Sequence, residues 1–166
     1  MKKIFLFFGL LLFLNCGSDN SFFDFDEAIH YSIKPEDERS FISSKDETKK
    51  QEFYHIFYGV YKYPSSIKDK ELIKNLEKFY SIQRKIPNHN IQKLDSIFSQ
   101  RSYNDTDGEY ACEPAYRDII IFKKSGRIVG LAKICFQCEM HYILGSKIET
   151  KHFGQAGEYQ ALQKIL

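Results

Sequence analysis

The stretch "RDIIIFKKSGRIVGLAKICF", Arg117 to Phe136, restricts the possible folds more than any other part of the chain. Two runs rich in β-branched residues flank "KSG", the pattern of a β-hairpin. A three-residue loop, Lys124 to Gly126, with Gly126 left-handed, suits a hairpin with a G1 bulge. That loop pairs Lys123 with Arg127 and, further along, Cys112 with Cys138. Side chains alternate between faces of a strand. Tyr116, Ile120, Phe122, Ile128, Ile134 and Phe136 then share one face, and Cys135 joins Ile119, Ile121, Val129 and Leu131 on the other. Both faces are apolar, so the hairpin is expected to be buried on both sides.

The flanking segments supply cover for those faces. "SSIKDKELIKNLEKFYSIQRK" reads as a helix capped by Ser66 and Asp69, with Leu72, Ile73, Leu76, Phe79 and Tyr80 on one side. "NHNIQKLDSIFSQ" reads as a second helix through Ile91, Leu94, Ile97 and Phe98, and "GEYQALQKIL" as a third, shorter one. The aromatic run "EFYHIFYGVYKYP" reads as a strand over Phe53–Tyr61 that ends before Pro64. Strands and helices are segregated along the chain. That predicts an α+β fold, a small antiparallel sheet with a central hairpin packed by two or three helices. Residues 52–166 form the expected single domain.

The chain opens "MKKIFLFFGLLLFLNCGSDN". Two lysines precede an apolar run that is too short to span a bilayer, which takes roughly 17–25 residues. The pattern is that of an export signal. Phe13, Leu14, Asn15 and Cys16 resemble the lipobox of bacterial lipoproteins, although Asn15 stands where that motif usually has a smaller residue. The resemblance implies a signal peptide over 1–15 and lipidation of Cys16. It places the domain outside the cytoplasm, anchored to the cell membrane or the outer membrane. Residues 16–51 are polar and mixed and read as a tether, although "FFDFDEAIHYSI" carries enough aromatics to dock. Without Lys2 and Lys3, the 24 basic residues fall to the number of acidic ones, 22. Such a balance argues against nucleic acid as a partner. The expected partners are the membrane, reached through the lipid, and an envelope protein.

Three further cysteines follow, Cys112, Cys135 and Cys138. An exported compartment permits a disulfide, and an odd number leaves one thiol over. A straight strand would hold Cys135 and Cys138 roughly 10 Å apart on opposite faces, so Cys112–Cys138 is the expected bridge. Cys112, Cys135, Cys138 and His141 also have ligand types that suit zinc, although only the C-x2-C half has knuckle spacing. A thioredoxin-like site lacks its βαβ frame here and any proline after Pro114. An EF-hand reading of "SYNDTDGEY" fails because, with Gly108 at the sixth position, Tyr103 and Pro114 fall where acidic ligands belong.

The block "CEPAYRDIIIFKKSGRIVGLAKICFQC", with the later "HFGQ" and terminal helix, resembles small uncharacterised exported proteins of Bacteroidetes-type bacteria. That resemblance implies no activity. No serine–histidine–aspartate arrangement, phosphate loop or H-E-x-x-H is present, so no catalytic residue is expected. The reading is a lipid-anchored envelope protein, a non-catalytic interaction or structural module without a cofactor. The alternative is a thiol-redox or zinc-handling protein built on Cys112, Cys135, Cys138 and His141.

Overall fold

A computed structural model describes residues 20–102 and 112–166. The order of elements is β1 (Glu27–Ser32), α1 (Pro35–Ile42), α2 (Glu47–Phe57), a single 3-10 turn (Gly59–Tyr61), α3 (Leu72–Phe79), β2 (Ile82–Lys85), α4 (Asn88–Ile97), β3 (Asp118–Lys124), β4 (Arg127–Cys135), β5 (Met140–Leu144) and α5 (Glu158–Gln163). The five strands form one antiparallel sheet in the order β2-β1-β3-β4-β5. The fold is α+β, as the hairpin and the helical stripes predict.

The sheet is the middle of three layers. In β3, Ile119 and Ile121 point to one face and Ile120 and Phe122 to the other, all nearly inaccessible. The first face packs against Phe53, Ile56 and Phe57 of α2 and Leu72, Leu76 and Phe79 of α3. The second packs against Leu94 and Ile97 of α4 and Tyr159 and Leu162 of α5. In α3 the buried positions recur at four and then three residues, one stripe on a helix.

Residues 20–51 are folded into the core rather than forming a tether. Phe22 and Phe23 are each 2% exposed. The Phe23 ring stacks on Phe122 at 4.3 Å between centroids, and β1 pairs with both β2 and β3. Gly130 makes the stacking possible, because a Cβ there would meet the Phe23 ring at 2.3 Å. Most polar residues of this segment face outward, Ser21, His30 and Glu38 being buried, and composition alone averages them with the buried aromatics.

Three other local expectations are corrected. The run expected as a strand at 53–61 is the C-terminal part of α2, as far as Phe57, followed by the 3-10 turn Gly59–Tyr61. Asp46 caps that helix by accepting from the Lys49 amide at 3.1 Å, and Phe53, Ile56 and Phe57 lie at helical spacing on its buried side. The helix expected over 65–85 is shorter. Ser66 and Asp69 accept from nearby amides in local turns, α3 begins at Leu72, and Tyr80 is extended. The following Ile82–Lys85 becomes an edge strand that pairs with β1.

The hairpin loop also differs. Lys124 pairs with Arg127, which leaves the two-residue turn Ser125–Gly126. Their φ angles of 49° and 78° match a type I′ turn, whose twist suits antiparallel strands. The extra residue sits further along. Lys123 faces Ile128 while Phe122 faces Gly130, so Val129 is bulged. The bulge turns Ile128 toward the α2/α3 layer and Val129 toward the α4/α5 layer, the reverse of the simple alternation. Beyond it the two shifts restore the parity, and Ile119, Ile121 and Leu131 share a face as expected.

Candidate functional site

Strand β4 ends at Cys135, and a turn through Phe136–Glu139 returns the chain as β5, with Cys135 paired to Met140. Glu139 closes the turn at φ 49°. Cys138 in this turn is joined to Cys112 by a disulfide, with Cα atoms 6.0 Å apart across 26 residues of sequence. This is the expected bridge. Cys135 is the remaining thiol among the described residues and is 2% exposed.

The expected separation of Cys135 from the bridge is corrected. Because the strand stops at Cys135, the turn brings Cys138 back to the same side. Cys135, Cys138 and Tyr116 form one buried cluster, edged by Met140 and Tyr142. The Cys138 amide donates to Cys135 Sγ at 3.4 Å. Tyr116, which precedes β3, also packs beside Cys135 instead of on the opposite face. Cys112 is at the exposed end of the bridge.

His141 points elsewhere. It pairs with Ile134, whose side chain belongs to the α4/α5 layer. Its Nδ1 lies 3.0 Å from the Tyr159 hydroxyl, and its ring meets Phe153 edge to face at 5.0 Å. Burial pushes its pKa below the usual histidine range. The four residues considered for zinc therefore do not form a ligand set. Two sulfurs share a disulfide and the imidazole occupies the opposite layer. Among the described residues, no three histidine, cysteine or acidic side chains are grouped to hold a metal ion.

Lys133 adjoins the cysteine cluster, two residues before Cys135 and on the same face of β4. It is 1% exposed. Its Nζ donates to the carbonyl of Ile56 at 2.5 Å and of Tyr63 at 2.9 Å. It also lies 4.7 Å from the centre of the Tyr116 ring. Burial pushes its pKa down to about 7. A free amine of that kind could act as a base or nucleophile. Here both carbonyls hold it and solvent does not reach it, so its role is to fasten β4 to the last turn of α2. The sequence carried a signal for this residue. "GLAKICF" places a lysine in phase with Leu131 and Cys135, at an inward position.

A second polar cluster sits on the opposite, α4/α5 face of the sheet, where His30 pairs with Ile120. His30 is 3% exposed, and its Nε2 lies 2.8 Å from Asp118 Oδ1. The ring borders a cavity of about 210 Å³ shared with Arg84, Lys85, Asn90 and Ile165. Arg84 Nη2 donates to the Leu166 carbonyl at 2.8 Å, and Lys85 pairs with Glu27 at 2.6 Å. The dyad orients the imidazole, but the cavity's cations are already engaged by this chain. Sequence reasoning missed the pair because His30 lies in the segment read as a tether, 88 positions from its partner. Cys16 and residues 103–110 of the acidic turn at 102–110 lie outside the described residues. Comparison with protein families, curated proteins and solved structures gave no match.

Proposed function

We propose that this chain is a lipid-anchored module of the bacterial cell envelope. Cys16 carries the lipid, and the domain acts by contact with another envelope protein rather than by catalysis. The observation that carries the reading is the Cys112–Cys138 disulfide. Such bridges persist in oxidising compartments and are rare in the cytosol, which agrees with an export-type N-terminus. No helix of the described residues is long and apolar enough to cross a membrane. In this reading attachment rests on the acyl chains, of which stable anchoring needs more than one. The near balance of charge in the mature chain leaves little electrostatic attraction to anionic lipid.

The test is metabolic labelling with a fatty acid in a bacterial host, followed by membrane fractionation. The wild type takes the label and sediments with membranes, and Cys16→Ser does neither. Labelling of the Cys16→Ser chain, or an unlabelled wild type, overturns the anchor.

A further inference from the structure

The turn Phe136–Glu139 places a buried thiol against one half of a disulfide. Cys135 and Cys138 are three positions apart, and residues so spaced in a tight turn have Cα atoms within about 7 Å. That is inside the span a disulfide can bridge. The Cys138 amide already donates to the Cys135 sulfur, and both side chains share one apolar cluster with Tyr116. The other half of the bridge, Cys112, is exposed and lies outside every strand.

We propose that Cys112, Cys135 and Cys138 form a thiol–disulfide relay that moves a reactive thiol from the interior to the surface. The Cys135 thiolate attacks Cys138 Sγ. A Cys135–Cys138 bond forms and the Cys112–Cys138 bond breaks. The electron pair leaves with Cys112 Sγ, which takes up the proton that Cys135 released. One disulfide and one thiol stand on each side of the step, so it consumes neither oxidant nor reductant. Cys112–Cys138 is the resting bridge and the exchanged form is the minor one. In that form Cys112 is free to attack a small disulfide such as oxidised glutathione. It then forms a mixed disulfide and releases one thiolate of the reagent. The C-x2-C spacing thereby serves exchange with Cys112, without the βαβ frame of a thioredoxin-like site.

The full chain, folded and oxidised, is incubated with N-ethylmaleimide, quenched in acid and mapped by peptide mass spectrometry without reduction. The relay predicts slow alkylation of Cys112 together with a Cys135–Cys138 crosslink. Cys135→Ser keeps the Cys112–Cys138 crosslink and leaves Cys112 unlabelled. Cys112→Ser, in a glutathione redox buffer, forms the Cys135–Cys138 crosslink while retaining a cooperative thermal transition. Oxidised glutathione should add to Cys112 of the wild type and not to the Cys135→Ser chain. Alkylation of Cys135 with the original bridge intact overturns the relay. So does a folded wild type that takes no label at Cys112 or Cys135, or a folded Cys112→Ser chain that keeps both remaining thiols.

Discussion

Lys133 Nζ lies 2.5 Å from the carbonyl oxygen of Ile56, so a strand in the middle layer is fastened to the last turn of helix α2. The last carbonyls of a helix have no partner within it, and this one is met by a side chain from the sheet. The same amine reaches the Tyr63 carbonyl, which ties down the segment after the 3-10 turn. Lys133→Met keeps much of the side chain's length and removes the donor. It leaves two carbonyls without that partner, and a buried polar group left unsatisfied costs about 1–3 kcal/mol. Denaturant unfolding should show a loss in that range at neutral pH. An unchanged midpoint would mean that water replaces the amine without penalty.

The same residue makes stability depend on pH. Burial lowers the Lys133 pKa from 10.5 to about 7. Between those values the unfolded chain binds a proton that the folded chain does not. Stability from this group therefore rises as pH increases across that window and is flat below it. Tyr116 acts in the opposite sense at higher pH. Its pKa is raised from 10.0 to about 12 by burial first, so its contribution is complete below pH 10 and is lost as pH climbs toward 12. The denaturation midpoint should rise from pH 7 toward pH 9.5 in the wild type and rise less in Lys133→Met. Identical slopes in the two proteins would remove Lys133 as the cause.

On the acid side, His141 gives the next expectation. Its folded pKa lies below 6.5 because burial disfavours the imidazolium. Stability from this group is present above pH 6.5 and declines as the unfolded chain takes up a proton below it. His141→Phe should flatten the decline between pH 6.5 and 5. If the substituted protein loses stability over that interval as steeply as the wild type, other groups carry the acid sensitivity.

Phe23 and Gly130 test whether the segment before residue 52 belongs to the folded unit. Adding a methyl at Gly130 sets it 2.3 Å from a ring that is 2% exposed. Overpacking of this kind costs about 1–3 kcal/mol, and Gly130→Ala should lower the unfolding midpoint accordingly. Phe23→Ala should cost about 3–5 kcal/mol. A chain that begins at Glu52 lacks β1 and should show no cooperative unfolding. Cooperative unfolding of that shortened chain would restore the tether reading.

Much of the architecture was legible because its signals are local. Ile119–Phe122 and Ile128–Ile134 read as strands from β-branched residues. Leu72, Leu76 and Phe79 read as a helical stripe, as did Leu94 with Ile97. The Cys112–Cys138 bridge was legible because the hairpin brings its two flanks together, even though the shorter turn and the Val129 bulge move the register by two residues and Cys138 lies in the turn beyond β4. What was lost depended on distant partners. β1 is half-polar and becomes a strand because β2 and β3 flank it. Ile82–Lys85 continues a helical pattern in sequence but pairs with β1 in space. Phe53–Phe57 has strand-like composition, yet its cap at Asp46 and the waiting sheet face make it a helix. At the cysteine end, the place where β4 stops decides everything. Alternation along an uninterrupted strand separates Cys135 from Cys138, and the turn at Phe136–Glu139 brings them together.

The cysteine arrangement at the end of β4 can be read directly by one measurement. The purified domain, denatured in acid without reductant, is digested and mapped by mass spectrometry, with a parallel sample treated with a chelator. A single crosslink between the Cys112 and Cys138 peptides is expected as the dominant form, with Cys135 as a thiol and no change with the chelator. A dominant Cys135–Cys138 crosslink with Cys112 free, or three thiols that become reactive only when the chelator is present, would contradict that arrangement.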